Sequence, residues 1–157
     1  SKMKKIIVLG IGNPYLKDDR IGPKIVEDLE KFFFNKDNII FEVFYSSGIE
    51  LLDSILDYDS AIFIDSIISD QIGKINYLTL EDVLSLPETS SPHSTNFSTM
   101  IKLGMKVSSD RMPTEILFCA IGIRDPFTFS DSFSIELEES YIDILEEIKD
   151  KIKSIST

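Results

Sequence analysis

The stretch from position 5 to position 22 constrains the fold of this chain more than any other. Its first part, Ile6 to Leu9, is a continuous apolar run, which is typical of a strand buried on both faces of a sheet. Gly10 and Gly12 then allow the backbone to turn tightly. The loop that follows carries two adjacent carboxylates, Asp18 and Asp19. The sequence therefore predicts a buried strand that delivers an acidic loop to one end of a sheet.

The rest of the chain alternates between β-forming runs and helical patterns. Further predicted strands cover Ile39–Tyr45, Ser60–Ile64, Gly73–Leu80 and Glu115–Ile121. Apolar periodicity predicts helices that begin near Pro23, Ile49, Glu81, Phe97 and Ser134, the last extending to Ile152. Such alternation is typical of an α/β three-layer sandwich. We predict a mostly parallel five-stranded sheet with helices on both faces, in which Gly73–Leu80 is an antiparallel edge strand.

The acidic composition limits the possible partners. The 157 residues include 27 acidic and 16 basic ones, a formal net charge of −11, which repels nucleic-acid backbones. A single cysteine suits the cytoplasm, and no apolar run reaches the roughly 18 residues of a membrane span. We therefore expect a cytoplasmic protein that binds neither nucleic acid nor membrane, and we also predict a monomer. Residues 3–157 are assigned to one domain, and Ser1-Lys2 to an appended remnant.

Two carboxylates are predicted to meet at one edge of the sheet. Asp19 follows the first strand and Asp65 ends the third, and right-handed crossovers would make these strands neighbours. Ligands of such folds bind beyond the carboxyl ends of the strands, where the strand order reverses. We expect Asp18 to cap the following helix, which leaves Asp19 as the functional member of its pair. The alternative for Asp65 is a simple strand-end cap.

The single histidine, His93, adds a nitrogen donor to this pair. It lies in a Ser/Thr/Pro loop, Glu88 to Asn96, ahead of a helix. Two carboxylates in one cleft are either an acid/base pair or ligands of a cation, and with a histidine they suit nickel or zinc. Asp19, Asp65 and His93 are therefore candidate metal ligands, and the two carboxylates are also candidate catalytic groups. Their spacing forms no motif.

Other kinds of catalytic or cofactor site are not supported by the sequence. After Gly10 and Gly12, the third glycine position of a dinucleotide fingerprint holds Tyr15, and no Walker lysine follows. The chain contains no G-x-S-x-G elbow of a serine hydrolase. Cys119 lies within a predicted strand and is expected to be a small core residue. The opening loop should therefore attract a cation and not a phosphate.

Taken together, these segments resemble the hydrogenase maturation endopeptidases, the proteases that complete the large subunit of nickel–iron hydrogenases. The resemblance runs over the whole chain, and its specificity comes from the order and spacing of the segments together. It is carried by VLGIGNPYLKDDRIG at Val8–Gly22, AIFIDSI at Ala61–Ile67, Pro92-His93, FCAIGIRD at Phe118–Asp125 and the C-terminal helix.

The resemblance implies a metal set and a reaction. In the family an acidic residue of the first loop, an Asp at the end of the third strand and a His of a later loop coordinate the metal. These positions fall on Asp19, Asp65 and His93. The implied activity is a metal-dependent or aspartyl-type endopeptidase that removes the C-terminal extension of the nickel-loaded large-subunit precursor. The nickel, supplied by the precursor, would be the recognition signal, and zinc or cadmium could replace it in a crystal.

The chain departs from the family pattern at two places. Arg20 stands where the family usually has glycine, and Tyr45-Ser46-Ser47-Gly48 replaces a turn rich in Asp and Gly. The missing Asp weakens a mechanism that needs a third carboxylate. It therefore leaves open a metal-dependent binding module or chaperone that recognises the same subunit without cutting it.

A second enzyme class shares the opening motif. Peptidyl-tRNA hydrolases also begin with a strand followed by Gly-x-Gly-Asn-Pro, but they place a histidine soon after it. This chain has Asp18 and Asp19 there. Its net charge of −11 also opposes a tRNA substrate.

Overall fold

Strands and helices alternate along the chain. A computed structural model describes residues 3–45, 48–85 and 92–157, with the backbone alone for 92–96. The strands there are β1 (Ile6–Ile11), β2 (Ile39–Phe44), β3 (Ser60–Ile68), β4 (Ile75–Thr79) and β5 (Glu115–Ile123). The helices are α1 (Ile21–Phe32), α2 (Glu50–Ile55), α3 (Leu80–Leu84), α4 (Pro92–Val107) and α5 (Ile135–Ser156). In these ranges no helix is both long and apolar enough to cross a membrane.

The strands form one sheet in the order β2-β1-β3-β5-β4. β1 pairs in parallel with β2 and β3, and β3 pairs in parallel with β5. β4 lies at an edge and pairs with β5 antiparallel. This arrangement confirms the predicted fold class. Because the chain moves from β1 to β2 on one side and to β3 on the other, the strand order reverses between β1 and β3, where folds of this kind bind ligands.

Helices cover both faces of the sheet, as strands that are apolar on both faces require. One core cluster joins α1 and α5 to the sheet and includes Val8, Leu29, Ile64, Leu137 and Ile148. The other joins α2, α3 and α4 to the opposite face and includes Leu9, Leu51, Phe63, Val83 and Ile101. Side chains alternate along a strand. Asp65 therefore lies on the face that α2, α3 and α4 cover, and Ser66 lies on the α1–α5 face.

β3 is longer than the sequence predicts. The prediction ended this strand at Ile64, but β3 continues to Ile68. Its pairing with β1 stops at Ile64, opposite Gly10, whereas its pairing with β5 continues to the last residue of the strand. Asp65 is thus not the end of a strand. It is the first residue of β3 beyond the reach of β1, which leaves one side of β3 open to the loop after β1.

The boundary of α4 also differs from the prediction. His93 was expected in a loop, but α4 begins at Pro92 and includes it in the first turn. Proline is favoured in the first turn of a helix because its missing N–H would have no partner there. The sequence pattern of capping residues further along, at Ser94 to Asn96, placed the start too late.

Two glycines allow the start of α1 to approach the sheet closely. A Cβ atom on Gly22 would lie 2.6 Å from the backbone oxygens of both Ile11 and Ile64. Gly12 has a φ of +151°, and a Cβ atom there would lie 2.1 Å from the backbone oxygen of Asp19. These backbone contacts hold the acidic loop against the ends of β1 and β3.

We expect Gly22→Ala to lower the free energy of unfolding by up to about 2 kcal/mol. Alanine is favoured over glycine in helices by about 1 kcal/mol, but overpacking costs about 1–3 kcal/mol. The overpacking cost should exceed the gain in helix propensity here, because the two oxygens that the methyl group meets belong to the backbone and cannot rotate away. Urea unfolding at 25 °C followed by circular dichroism measures the difference.

Gly104→Ala in α4 is the matched control. Its methyl group would meet the side-chain ends of Leu52 and Met112, which can rotate away, so its loss of stability should be smaller. Equal unfolding free energies for the two variants would contradict the constraint at Gly22.

Candidate active site

Asp18 is buried and connects the first loop to the start of α5. It has no exposed surface. Its carboxylate accepts hydrogen bonds from the backbone N–H groups of Arg124 and Asp125 at 3.2 and 2.8 Å. It also accepts the N–H and hydroxyl of Ser134, the N-cap residue of α5, at 2.8 and 2.6 Å. The prediction that Asp18 caps the following helix is wrong, because Arg20 is the N-cap residue of α1. A buried carboxylate needs several hydrogen-bond donors. Those of Asp18 come from the segment between β5 and α5, including the N-cap residue of α5.

Asp19 is half-buried and reaches β3. Its Oδ2 accepts the backbone N–H of Asn13 at 2.8 Å, and its Oδ1 accepts the hydroxyl of Ser66 at 2.7 Å. Hydrogen bonds to an ionised acceptor are stronger than those between neutral groups. Donors from two separate elements therefore fix this carboxylate at the opening between β1 and β3.

Asp65 is buried, with 4% of its surface exposed. Its Oδ1 accepts the backbone N–H of Ser66 at 2.7 Å. Burial raises the pKa of Asp65 from 3.8 to about 7, the hydrogen bond from Ser66 opposes the rise, and the charge of Asp19 adds to it. A carboxyl group with such a pKa can exchange a proton near neutral pH, which is a property of catalytic groups.

Ser66 links the two carboxylates, and the sequence reasoning did not single it out. Its hydroxyl bonds Asp19 while its backbone N–H bonds Asp65. The signal in the sequence is a hydroxyl residue directly after the strand carboxylate. This signal indicates a role for Ser66 only once the loop after β1 is known to lie against β3, within reach of the Ser66 hydroxyl.

The structure brings Asp19 and Asp65 together, and His93 is the third predicted ligand. The side chain of His93 lies outside the described residues, as do Ser46 and Ser47 of the unusual turn. Among the side chains that the structure does describe, no three His, Cys, Asp or Glu residues lie close enough together to hold a metal ion. The charge of Asp19 raises the pKa of Asp65, and a cation bound near both groups would offset this repulsion. The acidic part of the predicted donor set therefore fits a metal.

The direction of α4 places its N-terminus at the same edge of the sheet. Phe97 packs against Phe63 of β3, with ring centroids 4.6 Å apart. Further along the helix, Gly104 lies against Met112, which precedes β5. α4 thus runs from the carboxyl edge of the sheet towards its amino edge. The backbone of His93 lies one helical turn before Phe97, on the side of the carboxylates.

Arg20, which the sequence left unexplained, packs against the α5 region. Its guanidinium group lies 3.8 Å from the ring centroid of Phe133, a cation–π contact. Phe133 in turn stacks on Tyr141 of α5 at 5.6 Å, and the Tyr141 hydroxyl donates to Asp28 of α1 at 2.5 Å. A glycine at position 20 could not make the contact with Phe133. Arg20 therefore helps to join α1 to α5.

An aromatic ribbon, formed by residues 15–17 and 127–130, lies next to the site. Leu16 forms an antiparallel bridge with Phe129, and the N–H of Lys17 donates to the carbonyl of Thr128 at 2.7 Å. The ribbon leads into Asp18, which anchors it. It exposes 65%, 75% and 81% of the side chains of Tyr15, Phe127 and Phe129. Exposed aromatic groups that lie together are typical of surfaces that bind proteins.

Comparison with known proteins finds similarity to hydrogenase maturation proteases. Over 78 residues the chain is 35% identical to the hydrogenase 2 maturation protease of Escherichia coli (strain K12), a match that covers 50% of this chain and 48% of that protein. The structure resembles the hydrogenase maturating endopeptidase HybD from E. coli, with a TM-score of 0.75 and 22% identity over 96% of this chain and 93% of that one. It also resembles the [NiFe] hydrogenase maturation protease HycI from Thermococcus kodakarensis KOD1, with a TM-score of 0.73 and 19% identity over 98% and 95%. No protein-family model matches.

These similarities confirm the resemblance identified from the sequence. The aligned segment spans about half the length of the curated relative, while the solved structures match over nearly the whole chain and share its fold. The names of these relatives agree with the predicted enzyme class, a maturation protease. A fold by itself does not specify an activity.

The raised pKa of Asp65 predicts a pH-dependent stability. A carboxyl group with a higher pKa in the folded state stabilises the protein fully below the pKa of the unfolded chain, and this contribution is lost as pH rises through the folded pKa. In buffer with a chelator, the free energy of unfolding of the wild type should therefore fall from pH 4 to pH 8 relative to Asp65→Asn. The pKa change from 3.8 to about 7 sets an upper limit of about 4 kcal/mol.

Asp70→Asn, at an exposed position beyond β3, is the control and should follow the wild type. Urea unfolding at four or five pH values gives the three curves. Parallel curves for the wild type and Asp65→Asn would show that Asp65 titrates as an ordinary carboxylate.

Proposed function

We propose that this chain is a hydrogenase maturation peptidase, a cytoplasmic hydrolase that removes the C-terminal extension of a nickel-loaded hydrogenase large-subunit precursor. The observation that carries the proposal is the pair of carboxylates, Asp19 and Asp65, held together by Ser66 where the strand order reverses. The fold shared with maturation endopeptidases and the sequence match to a maturation protease support it.

Nickel belongs to the substrate in this proposal. Asp19, Asp65 and His93 would contact the nickel of the precursor and so distinguish a loaded large subunit from an empty one. A set of three ligands leaves coordination positions for groups of the substrate, so binding depends on both proteins. This dependence would make metal loading a condition for cleavage.

The carboxylates provide the proton chemistry of amide hydrolysis. A water molecule attacks the carbonyl carbon of the scissile bond, one carboxylate accepts a proton from that water, and the proton then passes to the leaving amine as the C–N bond breaks. Asp65 is the buried carboxylate of the pair, and burial makes its ionised form a better proton acceptor than an exposed carboxylate, which favours Asp65 as the group that exchanges this proton. Asp19, fixed by two hydrogen bonds, would orient the water. Docking of the precursor would hold the scissile bond near these groups.

The aromatic ribbon supports a protein substrate. Tyr15, Phe127 and Phe129 lie on two segments that are joined by backbone hydrogen bonds beside Asp19, and they are largely exposed. Aromatic side chains provide much of the binding energy at protein interfaces. We infer that the ribbon contacts the large subunit next to the bound nickel.

Processing of a purified precursor tests the proposal. Wild-type protein should remove a C-terminal segment from nickel-loaded precursor and none from nickel-free precursor, as intact-mass spectrometry would show. Asp19→Asn and His93→Ala should each abolish the mass loss because each removes a proposed ligand. Asp70→Asn, at an exposed site, should retain full activity.

Two outcomes of this assay would contradict parts of the proposal. Full cleavage by both Asp19→Asn and His93→Ala would overturn the assignment of the site. Stable binding of loaded precursor by the wild type without mass loss would identify a binding module in place of a protease.

Ribbon variants separate substrate binding from chemistry. Phe127→Ser and Phe129→Ser should each raise KM for the precursor about tenfold, the loss expected for an interface aromatic group, with little change in kcat. Phe34→Ser is the control, since Phe34 is also exposed but lies after α1, outside the ribbon. Unchanged KM in both ribbon variants would show that the large subunit binds elsewhere.

A further inference from the structure

Ser66 makes two hydrogen bonds of different kinds to the two carboxylates. Its backbone N–H donates to Asp65 Oδ1 at 2.7 Å, and its hydroxyl donates to Asp19 Oδ1 at 2.7 Å. The first bond is available to any residue at this position except proline. The second depends on the hydroxyl group, so the side chain at position 66 determines whether Asp19 is held.

The end of β3 explains how Ser66 reaches both groups. β1 stops pairing with β3 at Ile64, so Ser66 has no β1 partner beside it, while its pairing with Ile121 of β5 keeps the strand extended. Adjacent side chains of a strand point to opposite faces. Ser66 therefore turns its hydroxyl to the loop of Asp19, whereas Asp65 lies on the other face.

Two carboxylates this close repel each other when both are charged. The charge of Asp19 acts on Asp65, so Asp19 would move towards solvent unless a donor held it. The Asn13 N–H holds its Oδ2 from within the same loop. The Ser66 hydroxyl is the bond that ties Asp19 to the strand of the other carboxylate.

We propose that Ser66 is the positioning residue of this site, whose hydroxyl holds Asp19 in register with Asp65 so that the pair is preset for the substrate. The role in cleavage rests on the proposed function. Groups that are held in place before the reaction lower its barrier more than groups that must be ordered during it. The effect of losing the hydroxyl should therefore fall on kcat.

Ser66→Ala and Ser66→Thr test the proposal as a pair. Alanine keeps the backbone bond to Asp65 and removes the bond to Asp19, whereas threonine keeps both. For nickel-loaded precursor, Ser66→Ala should lower kcat about tenfold, the value of one hydrogen bond to a charged group, with KM changed less than about twofold. Ser66→Thr should restore kcat to within about twofold of the wild type.

Ser69→Ala is the control, because Ser69 lies just beyond β3 and its hydroxyl oxygen accepts the N–H of Gln71, outside the site. Its kcat should equal that of the wild type. Thermal unfolding of all variants shows whether each is folded at the assay temperature. Loss of activity in both Ser66→Ala and Ser66→Thr, or in neither, would overturn the role of the hydroxyl in cleavage.

Crystal structures of the metal-free variants test the positioning without any cleavage. Asp19 should occupy one conformer in the wild type and in Ser66→Thr but more than one in Ser66→Ala, while Asp65 keeps its conformer in all three. An unchanged Asp19 in Ser66→Ala would overturn the proposal. If the wild type does not cleave the precursor, the proposed function fails, and these structures still decide whether Ser66 positions Asp19.

Discussion

The arrangement of this molecule depends on the buried carboxylate of Asp18. It accepts backbone and hydroxyl donors from the segment between β5 and α5, and leaving a buried carboxylate without donors would be costly. The acidic loop must therefore stay closed against α5. Its neighbour Asp19 reaches β3 instead. Two adjacent residues of the same type thus have separate tasks, one that fixes the loop and one that is presented at the opening of the sheet.

The close approach of α1 to the sheet allows Asp18 and Asp19 to contact different elements. Gly12 and Gly22 allow backbone contacts that a side chain would prevent, and Arg20 between them packs on Phe133 and so reinforces the joint to α5. The loop then lies beside the end of β3, where β1 no longer pairs. Asp65 and Ser66 meet Asp19 there. The start of α1, the close contacts at the two glycines and the length of β3 together define the site. Its groups come from distant parts of the sequence.

The electrostatics of the site agree with the proposed chemistry. Asp65 is buried, and its pKa is raised to about 7 mainly by that burial, while Asp19 is half-buried and held by two donors. Burial suits Asp65 for proton exchange, and the two hydrogen bonds of Asp19 suit it for orientation. A cation bound between them would favour the ionised form of both. The exposed ribbon of Tyr15, Phe127 and Phe129 adds a surface suited to a protein partner.

The α/β class and the antiparallel edge strand could be predicted from the sequence, and Asp19 and Asp65 could be chosen as candidates, because hydrophobic periodicity and acidic groups after apolar runs are local properties. The roles of Asp18, Arg20 and Ser66 depend instead on how distant segments pack together. Asp18 bonds residues more than a hundred positions away, Arg20 stacks on a ring next to α5, and Ser66 reaches a loop 47 positions earlier. The extension of β3 past Asp65 likewise depends on β5, a strand from much later in the chain. Such contacts leave no periodic trace in a sequence, since they are set by how the elements pack.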